Sequence, residues 1–368
     1  MKKKTLVTRT LIILVAGLFI LAYALRPLID SWQESRALAA VDDIEKQEPV
    51  GPTFNNDSAY QFCADQCAFG PRTMNSQAHE QCRQWIVGKF QEYGLSVEQQ
   101  SADLTGHDGT TLHATNIIAS YQPEAQQHIV IAAHWDSRPW ADNDPDSANH
   151  RKPVMAANDG ASGVAVMLEV ARLLGTTHPQ ALSKGGKTGQ TSSHEGNGSE
   201  VGLPQIGIDF ICFDAEDWGA PYWADVADSE DTWALGAQYW ASHLPEGYEA
   251  RYGVLLDMVG GQGAHFYREG FSDEYAKTIV DKLWAAARAA GYGSFFPDER
   301  GGYVTDDHLP MNKTAGIATA DIIACYPECQ QSSFGPTWHT INDDMAHIDK
   351  ETLRAVGQTL IQVIYTEE

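Results

Sequence analysis

Apolar positions fall into short runs separated by polar excursions, and the runs alternate between two periods. Ser58–Phe69 and Ser76–Tyr93 carry apolar residues at helical spacing, with Phe69-Gly70-Pro71-Arg72 as the break between them. Val97–Asp103 and Ala114–Tyr121 read as strands, the first exposed and the second largely apolar, and Gln127–Asp136 reads as a buried strand. Gly160–Leu174 predicts a helix whose Val164, Met167, Leu168, Ala171 and Leu174 form one apolar stripe. A strand at Ile206–Phe213, a helix near Thr232–His243 and a strand at Tyr252–Val259 follow. The chain closes with a helix at Asp273–Ala290, a strand at Ala315–Ala324 and a helix at Lys350–Tyr365. Strands alternating with helices, with no internal repeat, predict an α/β protein: a three-layer α/β/α sandwich around a mixed, largely parallel sheet.

Three stretches stand outside this alternation. Residues 176–204 turn to Gly, Ser, Thr, Lys and His without periodicity, and the strand pattern resumes at once, so they read as a flexible surface insertion. His178 and His194 within it read as solvated side chains rather than ligands. Residues 30–55 are polar and aperiodic, a predicted linker. At the N-terminus, Met1-Lys2-Lys3-Lys4 precedes an uncharged run from Thr10 to Leu25 that Arg26-Pro27 stops, the pattern of an export segment. Ala22-Tyr23-Ala24 offers a cleavage site, but apolar character resumes at Leu28-Ile29, so residues 1–29 read as a signal anchor. The basic end stays inside. That places the folded part, residues 56–368, in the periplasmic side of the cell envelope, or outside the cell if the segment is cleaved.

Charge narrows the partners. The 368-residue chain carries a net −24, and its basic N-terminus makes the remainder more negative still. Nucleic acid is thereby excluded as a partner of the folded part, and so is an anionic lipid surface; contact with membrane falls to the N-terminal segment alone. The expected state is a monomer. Six cysteines include Cys63/Cys67 and Cys325/Cys329, spaced by four rather than as C-x-x-C. Cys325-Tyr-Pro-Glu-Cys329 has the makings of a small disulfide loop, whereas Cys212 sits in an apolar strand and reads as a buried thiol.

The chemistry gathers where apolar runs end. His134-Trp135-Asp136 closes one strand, Asp214-Ala215-Glu216-Asp217 another, and Asp257 a third; Asp306-Asp307-His308 and Trp338-His339 follow apolar segments further on. A single strand-terminal acid is usually a turn or cap residue. Five such ends on one sheet call for a cation, because clustered carboxylates repel unless something positive compensates them. Carboxylate and imidazole together suit zinc with one position open. Glu216 and Asp217 cannot both face the metal from one extended strand, so one ligates while its neighbour serves as general acid or base.

With these residues in view, the chain resembles the zinc-dependent aminopeptidases of the M28 clan, through His134-x-Asp136, Asn158-Asp159-Gly160-Ala161-Ser162-Gly163, the acidic pair and His339-Thr340. Within that clan it looks most like the glutaminyl cyclases of animal type and their bacterial relatives. That likeness rests on Phe69-Gly-Pro-Arg72, His134-Trp-Asp-Ser-Arg-Pro139, Asp214-Ala-Glu-Asp-Trp218, Asp306-Asp-His308 and Trp338-His-Thr340 followed by Asp343-Asp344. The resemblance spans roughly residues 58–366 apart from the insertion, and implies a zinc-exopeptidase-like fold. It implies one zinc held by Asp159, Asp217 and His339, with Glu216 as the catalytic acid/base and Asp257 and Asp306 as carboxylates of its hydrogen-bond network. The family commonly has Glu where Asp217 stands, a shorter arm that should shift the metal slightly. Trp338 and Phe334 match aromatic positions of the substrate pocket; a further tryptophan is Trp223 or Trp233, and Trp233 is preferred.

The implied reaction is attack by the α-amine of an N-terminal glutamine on its own side-chain amide, giving pyroglutamate and ammonia from peptide or protein substrates. A second reading is a two-zinc aminopeptidase, since His134 and Asp257 stand where peptidase relatives hold a second metal beside a bridging Asp159. A third is a non-catalytic binding ectodomain, disfavoured because every expected ligand is present. Trp338 beside His339, the Asp306-Asp-His308 triplet and the WDSRP continuation favour the cyclase.

Overall fold

In the computed structural model, residues 41, 43–177 and 204–367 are described. The expected anchor, its Ala24 cleavage site, most of the linker's first half, and His178 and His194 of the insertion lie outside those residues. Among the described residues no helix is long and apolar enough to cross a membrane.

Seven strands form one sheet: β1 (Ser96–Thr105), β2 (Thr111–Tyr121), β3 (His128–His134), β4 (Gly207–Phe213), β5 (Gly253–Asp257), β6 (His265–Phe266) and β7 (Thr319–Cys325). Their spatial order is β1-β2-β4-β3-β5-β7-β6. The four central strands run parallel, while β1, β2 and β6 pair antiparallel at the edges. The parallel centre explains the near-continuous apolar runs, because both faces of those strands are covered. In β3, Ile129, Ile131 and Ala133 face the larger core while Val130 and Ala132 face the smaller one, the two-residue alternation of a strand.

Helices α1 (Asn56–Cys67), α2 (Gln77–Glu92), α3 (Ala161–Thr177), α6 (Lys277–Ala289) and α8 (Lys350–Thr366) supply residues to the larger core, while α4 (Leu235–Ser242) packs in the smaller one. Two short helices, α5 (Gly270–Tyr275) and α7 (His308–Lys313), complete the set used below. This is the α/β/α sandwich with a mixed sheet that the alternation predicts.

Four local expectations change. The stripe on α3 widens to burial on all sides from Ala161 to Ala171, because α1 and α8 pack over the helix from outside. The helix expected over 273–290 is interrupted at Ala276, where φ is −137°. The 30–55 linker ends early. The Val50 and Phe54 amides donate to Gln362 and Gln358 of α8 at 2.9 and 2.8 Å, and Phe54 is buried. All six cysteines are free, so the Cys325–Cys329 loop is not closed by a disulfide; Cys325 ends β7, and Cys329 lies in a turn its own amide closes onto the Tyr326 carbonyl.

Candidate active site

Register brings the first group together. Pairing of His134 with Phe213 and of Ala132 with Leu255 sets His134 flush with the ends of β4 and β5. The chain runs from β3 to β4 on one side and then crosses to β5 on the other side of β3, so the carboxyl ends of these strands flank a topological switch point, where open α/β sheets bind ligands. Asp306-Asp307-His308 and Trp338-His339, by contrast, do not end strands. Asp307 precedes α7, and His339 lies in a turn before α8. Only three of the five clusters are strand ends. The other two are carried to the same edge by tertiary packing.

The acidic pair is turned by its neighbour. Ala215 adopts φ +53°, which bends the chain out of β4 and costs on the order of 1–2 kcal/mol for a residue with a Cβ. The Asp136 carboxylate holds the bend by accepting the Glu216 and Asp217 amides, each at 3.1 Å. Asp159 is fixed in a similar way: Asp343 accepts the amides of Asn158 and Asp159 at 2.7 and 3.0 Å. Arg72, fully buried, donates to the carbonyls of Trp135, Met155 and Ala156, tying the Asp159 loop to the end of β3.

Two imidazoles then bridge the carboxylates. His134 Nε2 lies 3.0 Å from Asp159 Oδ1 and 3.3 Å from Asp257 Oδ1. His339 Nε2 lies 3.3 Å from Asp217 Oδ1 and 3.5 Å from Asp159 Oδ2. Asp217 Oδ2 and Asp257 Oδ1 are buried and accept no hydrogen bond. Ligand atoms of Asp159, Asp217 and His339 all fall within 4.8 Å of one another, as do those of His134, Asp159 and Asp257. Orphaned carboxylate oxygens facing imidazole nitrogen in a buried pocket are what a zinc site offers without its ion. The residues fit zinc, with Asp159 common to both sets.

Support around the sets comes from residues that motif reading left without a role. Arg138 forks onto Asp142 at 2.8 and 2.6 Å and also donates to the carbonyls of Asp217 and Gly219 at 3.1 Å each. Asp142 in turn approaches His339 Nδ1 at 3.4 Å, the carboxylate–imidazole pairing that fixes the orientation of a ligating histidine. Burial alone would raise the Asp142 carboxyl, but Arg138 and His339 hold it well below the usual range. A buried Arg in WDSRP was the only signal available, and a sequence does not say that an Arg is buried.

Glu216 sits beside this group, its carboxyl pushed well above the ordinary value by burial and by the charges of Asp217, Asp306 and Asp307, against the pull of His134. Burial likewise raises Asp257 to about 6 and Asp306 to about 7. The aromatic residues form one wall. Trp233 stacks on His339 at 5.8 Å with 12° between planes, Trp338 stacks on the same imidazole at 3.8 Å, and Phe334 packs on Trp338 at 4.9 Å. Trp223 instead packs with Arg151 and Trp140.

Comparison with known proteins fixes the family. A family model described as Peptidase family M28 matches residues 116–364. The chain belongs to that family. It is similar to a solved Bacteroides thetaiotaomicron glutaminyl cyclase bound to N-acetylhistamine, at 47% identity and a TM-score of 0.78, covering 86% of this chain and 99% of that one. A solved leucine aminopeptidase precursor from Bacteroides thetaiotaomicron VPI-5482 matches at 47% identity and a TM-score of 0.76, with the same coverage of 86% and 99%. A bovine glutaminyl-peptide cyclotransferase is 26% identical over 69% of this chain. The chain spans 66% of that relative's length and 50% of an aminopeptidase it also matches.

Proposed function

We propose that this M28 family member is a zinc-dependent glutaminyl-peptide cyclotransferase that closes the N-terminal glutamine of peptides or proteins to pyroglutamate, releasing ammonia. The observation that carries the reading is the buried Glu216 carboxyl, raised above its ordinary value by burial, set against an aromatic wall of Trp233, Trp338 and Phe334 around His339. The 47% identity to a glutaminyl cyclase over nearly that enzyme's whole length supports it.

Asp159, Asp217 and His339 are the proposed zinc ligands. When bound there, zinc supplies a Lewis acid for the side-chain amide carbonyl. The chain's own groups do the rest. The substrate amine forms a bond to the amide carbon, and the carbon–nitrogen bond to the side-chain NH2 breaks. Glu216 takes one proton from the attacking amine and returns it to the departing nitrogen, which leaves as ammonia. Such a shuttle is served by a carboxyl of raised proton affinity, and burial together with the charges of Asp217, Asp306 and Asp307 raises that of Glu216. No water enters, so a pocket that folds the glutaminyl chain against Trp338 and Trp233 accelerates the step by proximity.

A two-zinc aminopeptidase is the second reading, supported by the intact His134, Asp159 and Asp257 set and by the aminopeptidase precursor among the similar structures. One experiment separates the two. The full-length protein is incubated with a glutamine-initiated peptide and with a leucyl chromogenic amide. Ammonia release without leucyl cleavage supports the cyclase; leucyl hydrolysis without ammonia release replaces it with the peptidase. We further propose that residues 1–29 anchor a monomeric catalytic domain outside the cytoplasm, which protease accessibility in spheroplasts tests.

A further inference from the structure

Next to Asp306, whose charge acts on Glu216, lie buried groups, His308 and Asp321, to which the proposed reaction gives no role. Asp306 and Asp307 precede α7, His308 opens it, and Asp321 projects from β7; all are buried, Asp307, His308 and Asp321 at 0% exposure. Among the described residues no Lys or Arg pairs with any of the three aspartates. Both oxygens of Asp321, both of Asp307, Asp306 Oδ2 and both ring nitrogens of His308 make no hydrogen bond. His308 Nδ1 and Asp321 Oδ2 face each other at 3.8 Å, too far for a hydrogen bond and suited to something placed between them.

The neighbouring Glu269 shows the contrast. It approaches His308 Nε2 at 3.2 Å, but its oxygens are already taken by the amides of Phe271, Ser272 and Val304 and by the Ser272 hydroxyl. Glu269 is a satisfied helix cap, whereas Asp321 is a carboxylate with nothing to hold.

Burying several carboxylates beside one imidazole is unfavourable unless protons or a cation compensate them. The placement selects the cation. One ligand atom each from Asp306, His308 and Asp321 lies within 4.8 Å of the others, a spacing one ion can close, and two carboxylates with one imidazole make a zinc-class donor set. We propose that Asp306, His308 and Asp321 hold a buried divalent cation of the zinc class, distinct from the site at Asp159, Asp217 and His339. All three ligands are buried, so this ion is structural. It clamps the start of α7 to β7 and neutralises acids that would otherwise repel Glu216.

Crystals of the full-length protein grown with zinc chloride, with data on either side of the zinc edge, test the site directly. Anomalous density is expected among Asp306, His308 and Asp321. Its absence there overturns the proposal, including the case in which the additional peak lies at His134, Asp159 and Asp257 instead. In solution, Asp321→Asn should bind one zinc fewer than the wild-type protein and lose the part of the zinc-induced rise in Tm that this ion supplies. Equal zinc counts overturn the proposal. So does a higher Tm in Asp321→Asn, because without a cation the isosteric amide relieves repulsion. Should that variant not fold, the wild-type anomalous map decides.

Discussion

Glu216 and Asp217 are adjacent in sequence yet face different tasks, and the left-handed Ala215 with the Asp136 clamp is what separates them. Glu216→Gln is expected to lower turnover by roughly 10²–10⁴-fold, the usual worth of a positioned acid/base, while zinc per chain stays unchanged; loss of zinc would show that the two roles have been exchanged. Arg138 is the other decisive side chain. Its planar fork holds Asp142, which orients His339, and its remaining donors hold the Asp217 backbone. A lysine offers a point charge without the fork, so Arg138→Lys should weaken zinc affinity by roughly 10–100-fold in a chelator competition, with kcat at saturating zinc far less affected. The acidic pair was legible as a division of labour from its spacing alone. Asp142, Asp343 and Arg138 were not, because each acts on a residue far along the chain.

Among the elements, α3 carries the most consequence for the site. A Cβ at Gly163 would stand 2.4 Å from the Leu256 carbonyl and 2.7 Å from the Ala133 side chain, so only glycine lets the first turn of α3 approach the ends of β3 and β5. That approach brings Asp159 within reach of His134 and His339. Gly163→Ala must move the helix, with an expected loss of about 1–3 kcal/mol, as for other overpacked cores, read as a lower Tm together with weaker zinc retention. Sequence periodicity located α3 and the central strands well. It missed α7, whose six residues give too little pattern to separate a helix from a loop, and with it the placement of Asp306 and His308.

For the whole molecule, a buried ion pair joins α2 to the turn after β4, beside the apolar packing of that helix on the sheet. His79 Nε2 meets Asp214 Oδ1 at 2.8 Å while its ring stacks on Trp135 at 4.1 Å. Asp214 also accepts the amides of Thr115 and Ala215, but burial, opposed by His79 and the Thr115 amide, still raises its carboxyl above the ordinary value. Burial lowers the His79 value, but the charge and hydrogen bond of Asp214 more than reverse it, so His79 titrates above its ordinary range. A histidine raised in the folded state contributes stability that is full below about pH 6.5 and fades as pH rises through the folded value. Wild-type Tm should therefore fall relative to His79→Asn as pH climbs above about 6.5, and parallel Tm curves would refute the assignment.

Sequence by itself determined the α/β alternation, the acidic balance of the folded part and the identity of the chemical groups, because periodicity and residue type are local properties. The type of Asp159, Asp217, His339 and Glu216 was enough to point to a metal and an acid/base. Only the tertiary structure decided how these groups meet. It set His134 flush with β4 and β5 and brought Asp306 and His339 to the sheet edge without strands of their own. It also left Asp321 buried with both oxygens unpaired. Register, burial and the pairing of polar atoms are relations between distant segments, and packing against the whole core fixes them.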